Sequence, residues 1–193
     1  MEIAKRCQSQ PGFAPSDSAL SSALLSVCEC DRHAQRYERA YKGLQALLTK
    51  SPDNLDVQQE AARLLHAWGA RDPQNYVKAI AGDGAGKQGG KLVWGWNGII
   101  KRLMPMIDKG DRYKELYFEA YRGKTRSRYL YVRSIKDVEE RKRQAQDAEE
   151  DIKRLYQTRP GMGGTASFAY FDRACREFQK LRGVAPDGLK GKK

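Results

Sequence analysis

The sequence predicts an all-α protein of antiparallel helix pairs, an α-solenoid or an irregular helical bundle. Three observations predict it. Apolar residues recur at intervals of three and four, the period of one helix face, and nothing reads as a sheet. Pro, Gly and Ser/Asp/Asn punctuation cuts the 193 residues into segments of helical length. The composition is 40% hydrophobic and 31% charged, which supplies a core and is not that of a disordered chain.

Residues 1–15 hold Pro11, Gly12 and Pro15 and read as a loose lead-in. Ser16 or Asp17 caps a first helix with the stripe Leu20, Ala23, Leu24, Val27 and Cys28. A second helix, from about Asp31 to Thr49, puts Tyr37, Ala40, Tyr41, Leu44, Leu47 and Leu48 on one side. Ser51-Pro52-Asp53-Asn54 is a turn and a cap, because proline disfavours α geometry at Ser51 and Asp53 or Asn54 caps the next helix. That third helix, Leu55 to Trp68, buries Val57, Ala61, Ala62, Leu64, Leu65 and Trp68, and Gly69 stops it. A short helix after Pro73 carries Tyr76, Val77 and Ile80.

Residues 81–90 hold five glycines and read as a linker between a helical half at 16–80 and another at 91–183. The second half opens with a helix from Leu92 to Ile107. Leu92, Trp96, Ile99, Ile100, Leu103 and Ile107 share one face, Trp94, Lys101 and Pro105 the other, and Pro105 bends or ends the regular part. Lys109-Gly110-Asp111 is a stop and a cap. A long helix then turns Tyr113, Leu116, Tyr117, Ala120 and Tyr121 inward, with Gly123 a weak point. Residues 135–158 carry a thin seam of Val138, Ala145, Ala148, Ile152 and Leu155. After the break at Pro160–Gly164, a last helix from Thr165 to Leu181 buries Tyr170, Phe171, Ala174, Cys175, Phe178 and Leu181, and 184–193 is a frayed basic tail.

In residues 21–69, Ala40, Leu44, Leu47 and Pro52 stand at spacings of four, three and five. Ala61 and Ala62 form a small-residue pair, followed by Leu65 and by Gly69 at a turn. This pattern resembles the tetratricopeptide repeat, whose helix pairs of about 34 residues touch through small side chains. The match is partial, with Leu24 and Cys28 where the family carries an aromatic and a glycine. The resemblance implies a stack of helix pairs that acts as a binding scaffold.

Few side chains invite chemistry. Residues 81–88 imitate a phosphate loop, but Ala81 stands where the first glycine belongs and Gln88 where a magnesium-holding Ser or Thr belongs. Cys28, Cys30 and His33 suggest a metal cluster. Residues two apart on a helix point to nearly opposite sides, however, so Cys7, Cys28, Cys30 and Cys175 read as reduced thiols. His66 falls beside Gln59 and Arg63 and reads as a solvated surface histidine. No metal or cofactor is expected, and the chain reads as no enzyme.

The net charge of +12 favours nucleic acid, acidic proteins or an anionic surface as partner. Two surfaces are candidates. Trp94, beside Lys101 on a polar helix face, is a large ring that a protein partner can cover. Arg122, Lys124, Arg126, Arg128 and Arg133, interleaved with Tyr121, Tyr129 and Tyr131, form a basic segment suited to nucleic acid. No run reaches the length of a membrane span and no signal peptide opens the chain, so a cytoplasmic protein is expected. The expected function is a non-catalytic helical-repeat scaffold for protein–protein interaction, with nucleic-acid association through Arg122–Arg133 as the alternative.

Overall fold

The computed structural model describes residues 16–86 and 90–189. The lead-in, Cys7, Lys87, Gln88 and the end of the basic tail lie outside the described residues. Ser16 accepts a hydrogen bond from the Ala19 N–H at 3.2 Å and starts α1, Asp17–His33. This helix runs through Asp31, where the second was expected to begin. The chain turns at Gln35 instead, which takes a φ of 57°. Buried Asp31 holds the turn by accepting from Arg36 at 2.9 Å and from Arg39 on the next helix.

Helix α2, Tyr37–Lys50, buries Tyr37, Ala40, Leu44, Leu47 and Leu48. Asn54 caps α3, Leu55–Trp68, through the Val57 N–H at 3.2 Å. Ala61 and Ala62 are fully buried. After Gly69 the short α4 spans Gln74–Ala81. A side chain at Gly69 would meet the Tyr76 ring at 2.3 Å, so the glycine is needed for packing as well as for the stop.

The glycine-rich segment departs from expectation. Strand β1, Asp83–Ala85, pairs antiparallel with β2, Lys91–Val93, in the register Asp83–Val93 and Ala85–Lys91. Residues 81–90 are therefore not a linker free of regular structure, and Leu92 and Val93 belong to a strand, not to a helix. Tertiary contacts hold the hairpin. The Tyr41 hydroxyl donates to Asp83 at 2.6 Å. The Gln58 amide, fully buried on α3, donates to the Pro52 and Leu92 carbonyls at 2.9 Å and accepts from the Trp94 N–H at 2.8 Å.

Helix α5, Gly95–Leu103, passes into a 3₁₀ turn, Met104–Lys109, at Pro105. Helix α6, Asp111–Ser134, continues unbroken through Gly123. A Cβ there would lie 2.6 Å from the Trp96 ring, so the glycine is a seat for the indole, not a weak point. Helices α7, Val138–Thr158, and α8, Thr165–Arg182, pair along the seam of Ala145, Ala148, Ile152 and Leu155, while Val138 stays exposed. Residues 184–189 fold back rather than fray. The Gly188 N–H donates to Gln179 and the Leu189 N–H to Asp172, each at 2.8 Å, and Leu189 is buried.

The fold is all-α, with eight α-helices and one two-stranded hairpin among the described residues. Successive helices pack as pairs: α1 on α2, α3 on α4, α5 on α6, α7 on α8. Helix α4 also packs on α6, and α3 on α5. One hydrophobic core thus runs from Cys28 to Leu189, across the hairpin. No helix among the described residues is long and apolar enough to cross a membrane.

Candidate binding groove

Helix α5 and the hairpin form one wall of a cavity of about 810 Å³, and the turn at Pro52–Asp53 forms another. Trp94, Asn97, Gly98, Lys101 and Arg102 line the α5 side. Their spacing explains this: positions 94, 98, 101 and 102 rise along one side of the helix in steps of three and four. Lys91 lines it from β2, and Asp53 is the single carboxylate in the lining.

Trp94 is not the exposed ring that a helical wheel implies. It is 7% exposed, because it stands at the N-cap of α5, where the regular wheel does not yet apply. Its backbone is tied to Gln58, and the Arg102 guanidinium lies over its ring, 3.4 Å from the centroid. Gly98 makes that stack possible. A Cβ at 98 would come within 2.6 Å of the Trp94 Cβ and 3.8 Å of an Arg102 terminal nitrogen. The structure brings Trp94 and Lys101 to the same cavity. Sequence reasoning missed Arg102 and Lys91, although the glycine between Trp94 and Arg102 was a signal for the stack.

The basic segment of α6 is dispersed. Lys124 pairs with Asp151 of α7 at 2.6 Å, and Arg128 reaches Asp147 at 3.9 Å. Arg122 donates to Ser167 of α8 at 3.2 Å. Arg126 and Arg133 are exposed, and Arg133 lies over Tyr129 at 5.6 Å. The five cations therefore do not form one free stripe: three of them bind α6 to its neighbours.

His66 is half-buried, which corrects the solvated reading. Its Nδ1 lies 2.9 Å from Ser127 Oγ. The Ser127 proton goes to the Gly123 carbonyl at 2.9 Å, and Trp96 Nε1 donates to the same oxygen at 3.3 Å. Oγ has one proton to give, so His66 Nδ1 donates to it. Burial, and then the Arg126 charge, push the His66 pKa down to about 4. This Ser–His contact is no nucleophile with its base: Ser127 is fully buried and its proton is already committed.

Cys28 is buried and Cys30, two residues on, is exposed. Burial, reinforced by Asp31, Glu60 and Glu29, pushes the Cys28 thiol up to about 11, so it is a poor nucleophile and a poor ligand. Among the described residues no three His, Cys, Asp or Glu side chains cluster to hold a metal. No known protein family, curated protein or solved structure matches the chain.

Proposed function

We propose that the chain is a non-catalytic helical scaffold, tetratricopeptide-like in its first half, that holds a protein partner in the groove beside α5. The observation that carries this reading is the groove itself: about 810 Å³ of open volume edged by Lys91, Lys101 and Arg102, with the Trp94–Arg102 stack in its wall. The helix pairs α1–α2 and α3–α4, with Ala40, Ala61 and Ala62 fully buried, support the repeat-like part. Nothing in the groove favours catalysis. Asp53 is its one carboxylate, and both histidines lie outside it. The groove is a better partner site than α6, whose basic residues are largely engaged with α7 and α8.

The test uses the tagged chain in nuclease-treated extract of its source cells. Wild type is compared with Lys101→Glu, a change at an exposed side chain that leaves the core intact. The proposal expects a defined protein retained by wild type and lost by the variant. Retention that vanishes with nuclease, or that Lys101→Glu leaves unchanged, contradicts it.

A further inference from the structure

Charge is compensated nearly everywhere along this fold except in the groove. Glu60 meets Arg32, Asp31 meets Arg36 and Arg39, Asp151 meets Lys124, and Glu149 meets Lys153 and Arg182. Lys91, Lys101 and Arg102 line one cavity and make no ion pair among the described residues. They face the single carboxylate of Asp53, so three cations surround a space with one anion. Like charges gathered without a partner repel, and a bound anion relieves that repulsion.

Arg102 is the most ordered of the three. Stacked over the Trp94 ring at 3.4 Å, it has its flat face satisfied, while a planar guanidinium keeps its N–H donors in the plane, pointing away from the ring system. A guanidinium held in this way is prepared to give two parallel hydrogen bonds to an oxyanion. Gly98 beneath the stack, with Gly86 and Gly90 on the hairpin side, leaves the wall low, so an anion can approach closely. Asn97 and Thr49 add neutral hydrogen-bonding groups.

Apolar recognition has little to work with. The large hydrophobic side chains exposed among the described residues are Met104, Val138 and Val184, none of which lines the cavity. A single carboxylate on a ligand would neutralise one cation and leave an excess. A phosphate ester carries up to two charges and three acceptor oxygens, which matches the fork of Arg102 and the two lysines.

We propose that Lys91, Lys101 and Arg102 form a phosphate-binding site, and that the groove takes a phosphate-bearing ligand. The volume suits a nucleotide-sized molecule. The same chemistry reaches the groove on a phosphoserine side chain of a protein partner. The inference rests on the reading of this groove as the binding surface. It does not use the phosphate-loop pattern of the glycine segment, whose Lys87 and Gln88 lie outside the described residues.

Calorimetric titration of the whole chain tests it with three probes: ADP, a phosphoserine peptide, and the same peptide with glutamate at that position. The proposal expects ADP or the phosphopeptide to bind, and whichever binds identifies the source of the phosphate. Lys101→Glu and Lys91→Glu should each weaken that binding by about tenfold or more. Lys142→Glu, an exposed site on α7 that changes net charge equally, should leave it unchanged. Binding by neither phosphate probe overturns the proposal. So does equal binding of the glutamate peptide, or equal loss in Lys142→Glu. If partner capture still depends on Lys101 while every phosphate probe fails, the phosphate assignment falls and the scaffold reading stands.

Discussion

His66 ties α3 to α6 as a neutral imidazole, and protonation works against that tie. Its pKa falls from an ordinary value of about 6.5 to about 4, chiefly through burial. Above pH 6.5 the group is neutral in both the folded and the unfolded chain and its stabilisation is fully present. As pH falls toward 4 the unfolded chain binds the proton first, so stability is lost across that window and levels off below it. The drop attributable to His66 is on the order of 3 kcal/mol. Urea unfolding at pH 7 and pH 5 measures it, and His66→Gln is expected to flatten the difference. A slope unchanged in that variant places the titration elsewhere.

At Trp94 the wheel misleads, and the error is informative. A wheel assumes that the residue already belongs to the helix, whereas Trp94 precedes it and is covered by Arg102, two turns later. Its neighbour Trp96 is legible as core, because it lies inside the regular turns with Ile99, Ile100 and Leu103. Trp94→Ala is therefore expected to cost about 3–5 kcal/mol in thermal or denaturant unfolding, where an exposed ring would cost little. An unaltered melting temperature would contradict the buried stack. This is why Lys101, exposed and free of core contacts, is the better probe of the groove.

At the scale of elements, the helices whose ends carry local signals were readable. Ser16, Asn54, Pro105 and Gly183 act within one turn of where they stand. Elements held by distant partners were not. The turn at Gln35 depends on Asp31 meeting Arg36 and Arg39, and the hairpin depends on Tyr41 and Gln58, 34 or more residues away in the chain. The glycines that looked like a linker are there because backbones pass closely. Gly82 takes a φ of 85°, and a Cβ there would lie 2.3 Å from the Val93 carbonyl oxygen. Gly82→Ala should cost roughly 1–3 kcal/mol from strain alone, read by denaturant unfolding. A flexible linker would tolerate the change, so no loss would argue against a packed hairpin.

The same logic governs the α7–α8 pair. Its apolar seam was visible at its period of seven, but not the buried carboxylate of Glu149, which accepts from Gln179 at 3.0 Å and meets Lys153 and Arg182. Helical spacing reports which side of a helix is apolar. It does not report which charges on the polar side find partners across the molecule. Lys124 and Arg128 show the consequence, since a segment that reads as a free basic stripe is in large part a set of ion pairs to α7.

For the whole molecule, a net charge of +12 sits on a fold whose buried acids are all paired. The surplus positive charge is therefore a surface property, and the groove beside α5 gathers three of those cations around one cavity. The central claim is that a partner binds at this groove and not along α6. Hydrogen–deuterium exchange on the complex with the captured partner tests it most directly, because it reads the footprint without a mutation. Slowed exchange is expected across residues 91–102 and the turn at 51–54, with 122–133 unchanged. Protection confined to 122–133, with the groove exchanging as in the free chain, would contradict the account.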